Sequence, residues 1–159
     1  MVAVGPPADW AGLAAWLAER YPDVRSIGVD ALAAWLADGA RPRPWLVDCR
    51  SAEEQAISTL PDAHRVNSPE DGVAAAAAFA PDHPIVVYCA VGVRSSRLAN
   101  RLLKAGHTEV LNLEGAIFAW ANRGLPLTGP GGQPTKLVHP YDATWCVLLA
   151  PERRAALPA

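Results

Sequence analysis

The chain has 159 residues, a normal size for one compact domain, and its 51% hydrophobic against 19% charged residues exclude a disordered chain. A formal net charge of -2, with no dominant run of like charges, argues against a general nucleic-acid binder. The longest apolar runs, such as 73–80, fall far below the roughly 20 residues that a membrane-spanning helix needs, so no membrane partner is expected.

Three cysteines, Cys49, Cys89 and Cys146, make an odd number without CxxC spacing. That pattern disfavours a disulfide framework or a structural zinc site. The first seven residues lack the basic and apolar regions of a signal peptide. A reduced, cytoplasmic protein is the expectation.

In chain order, apolar residues at helical spacing predict a first helix over 8–20, stopped by Pro22. Ser26-Ile27-Gly28 reads as a very short strand. A second helix carries Leu32, Trp35 and Leu36 on one face and closes at Gly39. The residues 41–44 form a stiff connector, and Trp45-Leu46-Val47 reads as a buried strand ending at Asp48-Cys49-Arg50. Ser51 stands three residues before Glu54, the spacing of a capping box, so a short helix should begin there. Loop and a short strand follow over 59–67, then an alanine-rich helix over 69–79.

Ile85-Val86-Val87-Tyr88 is the clearest strand, a β-branched run between a proline turn and a polar loop. Beyond it come a helix over 95–105, a strand over 110–112 and a helix over 115–123. The composition of 128–134, rich in glycine and proline, reads as a linker. A tail to residue 159 is expected to pack back on the domain. Strands alternating with helices imply an α/β fold, a mostly parallel sheet covered on both faces.

Cys89 occupies the loop between the best strand and the following helix, where open α/β sheets bind ligands. The helix N-terminus offers unpaired N–H groups and a dipole that favour a thiolate over a thiol, and the thiolate is the nucleophile. Gly92 permits a strained backbone, so that N–H groups of Ala90 to Ser95 can turn inward as an anion nest. Arg94 supplies a fixed charge and a bidentate fork for an oxyanion. Ser95 either caps the helix or donates one more hydrogen bond. The plain alternative is an inert buried cysteine at a strand end.

Cys89-Ala90-Val91-Gly92-Val93-Arg94-Ser95 resembles the C-x-x-G-x-R-S loop of the rhodanese family. Leu46-Val47-Asp48-Cys49-Arg50 resembles that family's early D-x-R motif, and Leu60-Pro61-Asp62-Ala63 resembles the motif that follows it. Leu113-Glu114-Gly115 through Trp120, with Gly124-Leu125-Pro126, resembles the G-G-x-x-x-W and G-x-P ending. The likeness spans roughly 27–127. It departs at Ser58-Thr59, where Gly-His is usual, and at Asp62 and Glu114, where glycines are usual.

The resemblance implies a central parallel sheet of about five strands flanked by helices. It divides the chain into an N-terminal helix (1–24), a rhodanese-like domain (25–127) and a linker with C-terminal extension (128–159). It implies transfer of a sulfane sulfur from thiosulfate or a similar donor anion through a persulfide on Cys89. Ala90, Val91, Gly92, Val93, Arg94 and Ser95 would bind the substrate. Cyanide, a thiol or an acceptor protein would take the sulfur, with no metal or organic cofactor. The four residues between Cys89 and Arg94 match sulfurtransferases, whereas phosphatases and arsenate reductases of similar fold have five. The alternatives are such a phosphatase or reductase, or a non-catalytic sulfur carrier or docking module.

Asp48 and Arg50 end a strand expected beside that of Cys89. They either line the pocket or form a structural ion pair, and the second reading is preferred. Cys49, on the face opposite Asp48, is expected to pack, with a role as second thiol the alternative. Arg94, Arg97 and Arg101 share a helix face, as a basic rim or as an ordinary solvated face.

Overall fold

The structure, a computed structural model, describes residues 5–157. The reading of the first residues as free of a leader therefore lies partly outside the described residues. Helix α1 (Trp10–Arg20) starts where the Asp9 carboxylate accepts from Gly12 N–H at 2.7 Å. Strand β1 (Arg25–Ile27) and α2 (Val29–Ala37) follow. The connector after α2 is pinned: Trp35 Nε1–H donates to the Pro42 carbonyl at 2.9 Å, and the Arg41 guanidinium stacks on the Trp35 ring at 3.8 Å.

Strand β2 (Trp45–Asp48) leads into α3 (Ala52–Ile57) through the expected capping box of Ser51 and Glu54. Then come β3 (His64–Arg65), α4 (Pro69–Ala76), β4 (Ile85–Tyr88), α5 (Val93–Lys104), β5 (Val110–Leu113) and α6 (Ala116–Asn122). The strands form one parallel sheet in the order β1-β5-β4-β2-β3. The register sets Asp48 beside Tyr88 and Val87 beside Asn112.

Alternation along β2 and β4 sends their side chains to opposite faces. Leu46, Val86 and Tyr88 join Leu13, Leu32, Phe118 and Trp120 in one cluster. Val47, Ile85 and Val87 join Leu98, Ala99 and Leu102 in the other. Helices cover both faces, as a buried parallel sheet requires.

Two expectations change. Helix α4 is shorter than its alanine content predicts, because the 77–79 segment closes in single turns before Pro81. The segment read as a linker is the turn of a hairpin between β6 (Leu127–Thr128) and β7 (Pro134–Thr135). Thr128 and Thr59 exchange backbone hydrogen bonds of 2.9 Å, which staples the hairpin to the loop after α3. The tail packs back as expected: Val138 and Leu149 are buried, and the Asn122 side chain bonds Leu148 O and Ala150 N at 2.8 Å. Among the described residues, no helix is long and apolar enough to cross a membrane.

Candidate functional site

Cys89 follows β4 directly and is 1% exposed. Its carbonyl and that of Ala90 accept from Ile117 N and Phe118 N at the start of α6, at 3.2 and 3.1 Å. With those carbonyls turned toward α6, the chain swings through Gly92 and its N–H groups face the sulfur. Gly92 has φ 110°, the left-handed region where a side chain is strained, and it precedes the first residue of α5. Gly92 N–H and Ser95 N–H reach Cys89 Sγ at 3.2 and 3.4 Å. Of the six loop residues expected to form the nest, these two supply backbone donors to the sulfur. Ala90, Val91, Val93 and Arg94 instead wall a cleft of about 130 Å³ over Cys89.

Ser95 is not a cap. It lies inside α5, whose N-terminus is Gly92, and its hydroxyl sits 3.3 Å from Cys89 Sγ and 2.6 Å from Asn112 Oδ1. A hydroxyl has one hydrogen, so the carboxamide at the shorter distance competes with the sulfur for it. Asn112 is fixed in turn, since its Nδ2 donates to Ser96 Oγ at 2.9 Å and to Gly92 O at 3.3 Å. Its one sequence signal was a polar residue in the apolar strand Val110-Leu111-Asn112-Leu113.

The Arg94 fork is partly taken, with Nε–H and the outer Nη hydrogens still free of Glu54. Its Nη1 and Nη2 donate to Glu54 Oε1 and Oε2 at 2.7 and 2.9 Å, a bidentate pair with Glu54 buried. The Tyr141 ring of the tail stacks on the guanidinium at 4.8 Å. Pro6, Tyr141 and Trp145 complete the cleft over Cys89. Glu54 was legible as a helix cap but not as the partner of a residue 40 positions away.

Asp48 and Arg50 form the buried ion pair. Arg50 Nη2 donates to Asp48 Oδ2 at 2.7 Å and to Ser58 O at 2.6 Å, and neither residue lines the Cys89 cleft. Tyr88 Oη–H donates to Asp48 Oδ2 at 2.7 Å and accepts from Leu60 N–H at 3.0 Å. The pair therefore sets the floor of the sheet end on which Cys89 stands. Arg101 pairs with Glu70 at 2.7 Å, while Arg97 and Arg94 border a second cleft of about 290 Å³. A larger cavity, about 480 Å³, is lined by residues of α1 and β5 and does not include Cys89.

Burial opposes charge on Cys89, but the Cys49 thiol, the Arg94 charge and Ser95 outweigh it and hold the Cys89 thiol well below the usual cysteine range. The Cys49 thiol moves the other way: its hydrogen bond to Cys89, then burial, push it up. The two thiols thus titrate as a coupled pair in widely separated steps. In an ultraviolet titration of thiolate absorbance, the first step falls well below the ordinary cysteine midpoint and disappears in Cys89→Ser. In that variant Cys49 titrates earlier than in the wild type. A single step near the ordinary value contradicts this. Glu54 is similarly held low: burial acts against its charge and the Arg94 guanidinium prevails. Among the described residues, no group of three or more His, Cys, Asp or Glu side chains is placed to hold a metal ion.

A family model described as a rhodanese-like domain matches residues 29–123. A protein named sulfurtransferase from Allochromatium vinosum is 36% identical over 110 residues, which cover 69% of this chain and 99% of that protein. The crystal structure of the Alr3790 protein from Anabaena superposes with a TM-score of 0.59 at 27% identity, covering 65% of this chain and 81% of that one. The crystal structure of a thiosulfate sulfurtransferase from Pseudomonas aeruginosa gives a TM-score of 0.62 at 26% identity. There the match covers 74% of this chain and 22% of the other.

Proposed function

Because the chain belongs to the rhodanese-like domain family, we propose that it is a sulfurtransferase that takes a sulfane sulfur onto Cys89 from thiosulfate or a similar anion. The observation that carries this reading is the Cys89 sulfur itself, held by Gly92 N–H and Ser95 N–H, with the Ser95 hydroxyl at 3.3 Å and the Arg94 charge nearby. The 36% identity to a named sulfurtransferase over nearly that protein's whole length supports the same chemistry.

In the first step the Cys89 thiolate attacks the outer sulfur of thiosulfate. The sulfur–sulfur bond of the donor breaks and sulfite leaves with its electron pair. The Cys89 persulfide keeps the negative charge on its outer sulfur, where the inward N–H groups stabilise it. Cyanide or a thiol then attacks that outer sulfur, and Cys89 departs as thiolate. With one hydrogen of each Nη held by Glu54, Arg94 is fixed at the cleft mouth, where its charge and remaining N–H groups can meet the donor anion. Double displacement requires that initial-rate plots with thiosulfate varied at several cyanide concentrations be parallel. Intersecting lines would mean that both substrates bind before sulfur moves. Absence of turnover with a cysteine that still gains sulfur would mark a carrier.

The cleft over Cys89 is small, and Tyr141 forms part of its wall. Tyr141→Ala removes the ring from Arg94 and widens the mouth. We expect kcat/KM for a bulky aryl thiosulfonate to rise by about tenfold relative to thiosulfate, about 1.4 kcal/mol of relieved steric cost. An unchanged ratio would mean that the tail packs there without selecting the donor.

A further inference from the structure

A second thiol stands beside Cys89. The register pairs Asp48 with Tyr88, and Cys49 N–H continues the ladder to Tyr88 O at 3.1 Å. Cys49 and Cys89 are therefore the next rung on neighbouring strands, with side chains on the same face. Strands about 4.8 Å apart lie within the 4.4–6.8 Å Cα separation of disulfides. The Cys49 S–H donates to Tyr88 O at 3.3 Å, on the carbonyl that immediately precedes Cys89. No disulfide joins the two cysteines. Cys49 packs on the α5 side of the sheet as expected of its strand position, but it is only half-buried. It opens on the second cleft, whose wall of Ser51, Asn67, Arg94 and Arg97 does not include Cys89.

We propose that Cys49 is a resolving thiol that discharges the Cys89 persulfide as sulfide. The step rests on the persulfide reading above. The Cys49 sulfur attacks Cys89 Sγ, the inner sulfur of the persulfide, and forms a Cys49–Cys89 disulfide. The bond from Cys89 Sγ to the outer sulfur breaks, the outer sulfur takes the electron pair and the Cys49 proton, and hydrosulfide leaves. The sulfane sulfur is reduced and the two cysteine sulfurs are oxidised together. A dithiol reductant then opens the disulfide and restores both thiols, so the net reaction converts sulfane sulfur and a dithiol into sulfide and a disulfide. Cys49 comes from the end of β2, whereas the N–H groups that hold the Cys89 sulfur come from the loop and α5. The attacking thiol and the anion-holding donors thus belong to different elements around one sulfur. In the resting protein the contact with Cys89, then burial, push the Cys49 thiol up.

The test uses the full chain with Cys146→Ser, so that Cys49 and Cys89 are the remaining thiols. Protein is treated with thiosulfate without acceptor, quenched with an alkylating agent and mapped by peptide mass. The expected result is a Cys49–Cys89 linked peptide and about one equivalent of sulfide per chain. In Cys49→Ser and Cys49→Ala the sulfur stays on Cys89, its lifetime extended at least about tenfold because the neighbouring thiol is gone. Equal lifetimes with and without Cys49, or sulfur recovered on Cys49 itself, would overturn the proposal while leaving the persulfide reading in place. If Cys89 gains no sulfur even in the Cys49 variants, the parent reading fails and this one with it.

Discussion

Replacement of Cys89 by serine is expected to reduce sulfur transfer by at least about a thousandfold, because removal of a nucleophile takes away the covalent route entirely. Serine keeps the size of the side chain and its hydrogen-bond capacity. Its hydroxyl is not ionised in the nest that favours the Cys89 thiolate, and oxygen cannot form the persulfide. The fold should be unaffected, since Gly92 N–H and Ser95 N–H find an acceptor in either atom. Initial rates with thiosulfate and cyanide, on protein whose circular dichroism matches the wild type, check this. Retention of more than a tenth of the activity would mean that Cys89 is a packing residue and that the chemistry lies elsewhere.

Asp48→Asn is the substitution expected to cost most in stability. The carboxylate is fully buried and accepts from Arg50 N, Nε and Nη2 and from Tyr88 Oη. Arg50 is 1% exposed, and its Nη1 already lacks a hydrogen-bond partner. Asparagine preserves the shape but leaves the guanidinium as an uncompensated buried charge, a loss of about 3–5 kcal/mol. Against a total stability of about 5–15 kcal/mol, that is a large share. With a slope of about 1.5 kcal/mol per molar, the urea midpoint should fall by about 2–3 M. Replacing Arg50 by methionine in the same chain removes the orphaned charge and should recover part of the loss. A midpoint shift below about 0.3 M would show that the pair is not structural. The local consequence is as important as the global one. Asp48 steadies the Tyr88 ring immediately before Cys89, and Gln55 Nε2 donates to the carbonyls of Asp48 and Arg50 at 3.0 and 3.1 Å.

The loop around Cys89 was legible because its determinants are local. A β-branched strand, a glycine that reverses the chain and a helix start lie within a dozen residues, and each carries its own signal. The capping box at Ser51 was legible for the same reason. What the sequence did not display are contacts made across the fold. The role of Glu54 beyond its cap depends on the fold bringing α3 within reach of the first turn of α5, where its carboxylate meets Arg94. Asn112 reaches Ser95 and Ser96 because β5 lies next to β4, a neighbour relation set by topology. Tyr141 reaches Arg94 through a tail with little regular structure and no period to read. The segment 128–134 reads as a linker rather than as the turn of a hairpin because glycine and proline serve turns and linkers alike. Cys49 was assigned to the correct face by strand alternation, yet its neighbour is decided by register, which alternation leaves open.

Tyr141, Trp145 and the Arg94–Glu54 pair together describe a site smaller and more covered than an open strand-end loop. Donor access is therefore expected to depend on the tail as well as on the loop. The Arg94 side chain retains 35% exposure, so its charge still faces the solvent through which an anion arrives.

The central claim is that Cys89 itself carries the sulfur. It is tested most directly by intact-mass measurement of the Cys49→Ser protein after brief exposure to thiosulfate, followed by titration with cyanide. The expected result is a gain of one sulfur atom per chain, located on the peptide that contains Cys89, and its discharge by cyanide as one equivalent of thiocyanate. A correctly folded protein whose Cys89 remains a free thiol under excess thiosulfate, persulfide and polysulfide donors would contradict the account.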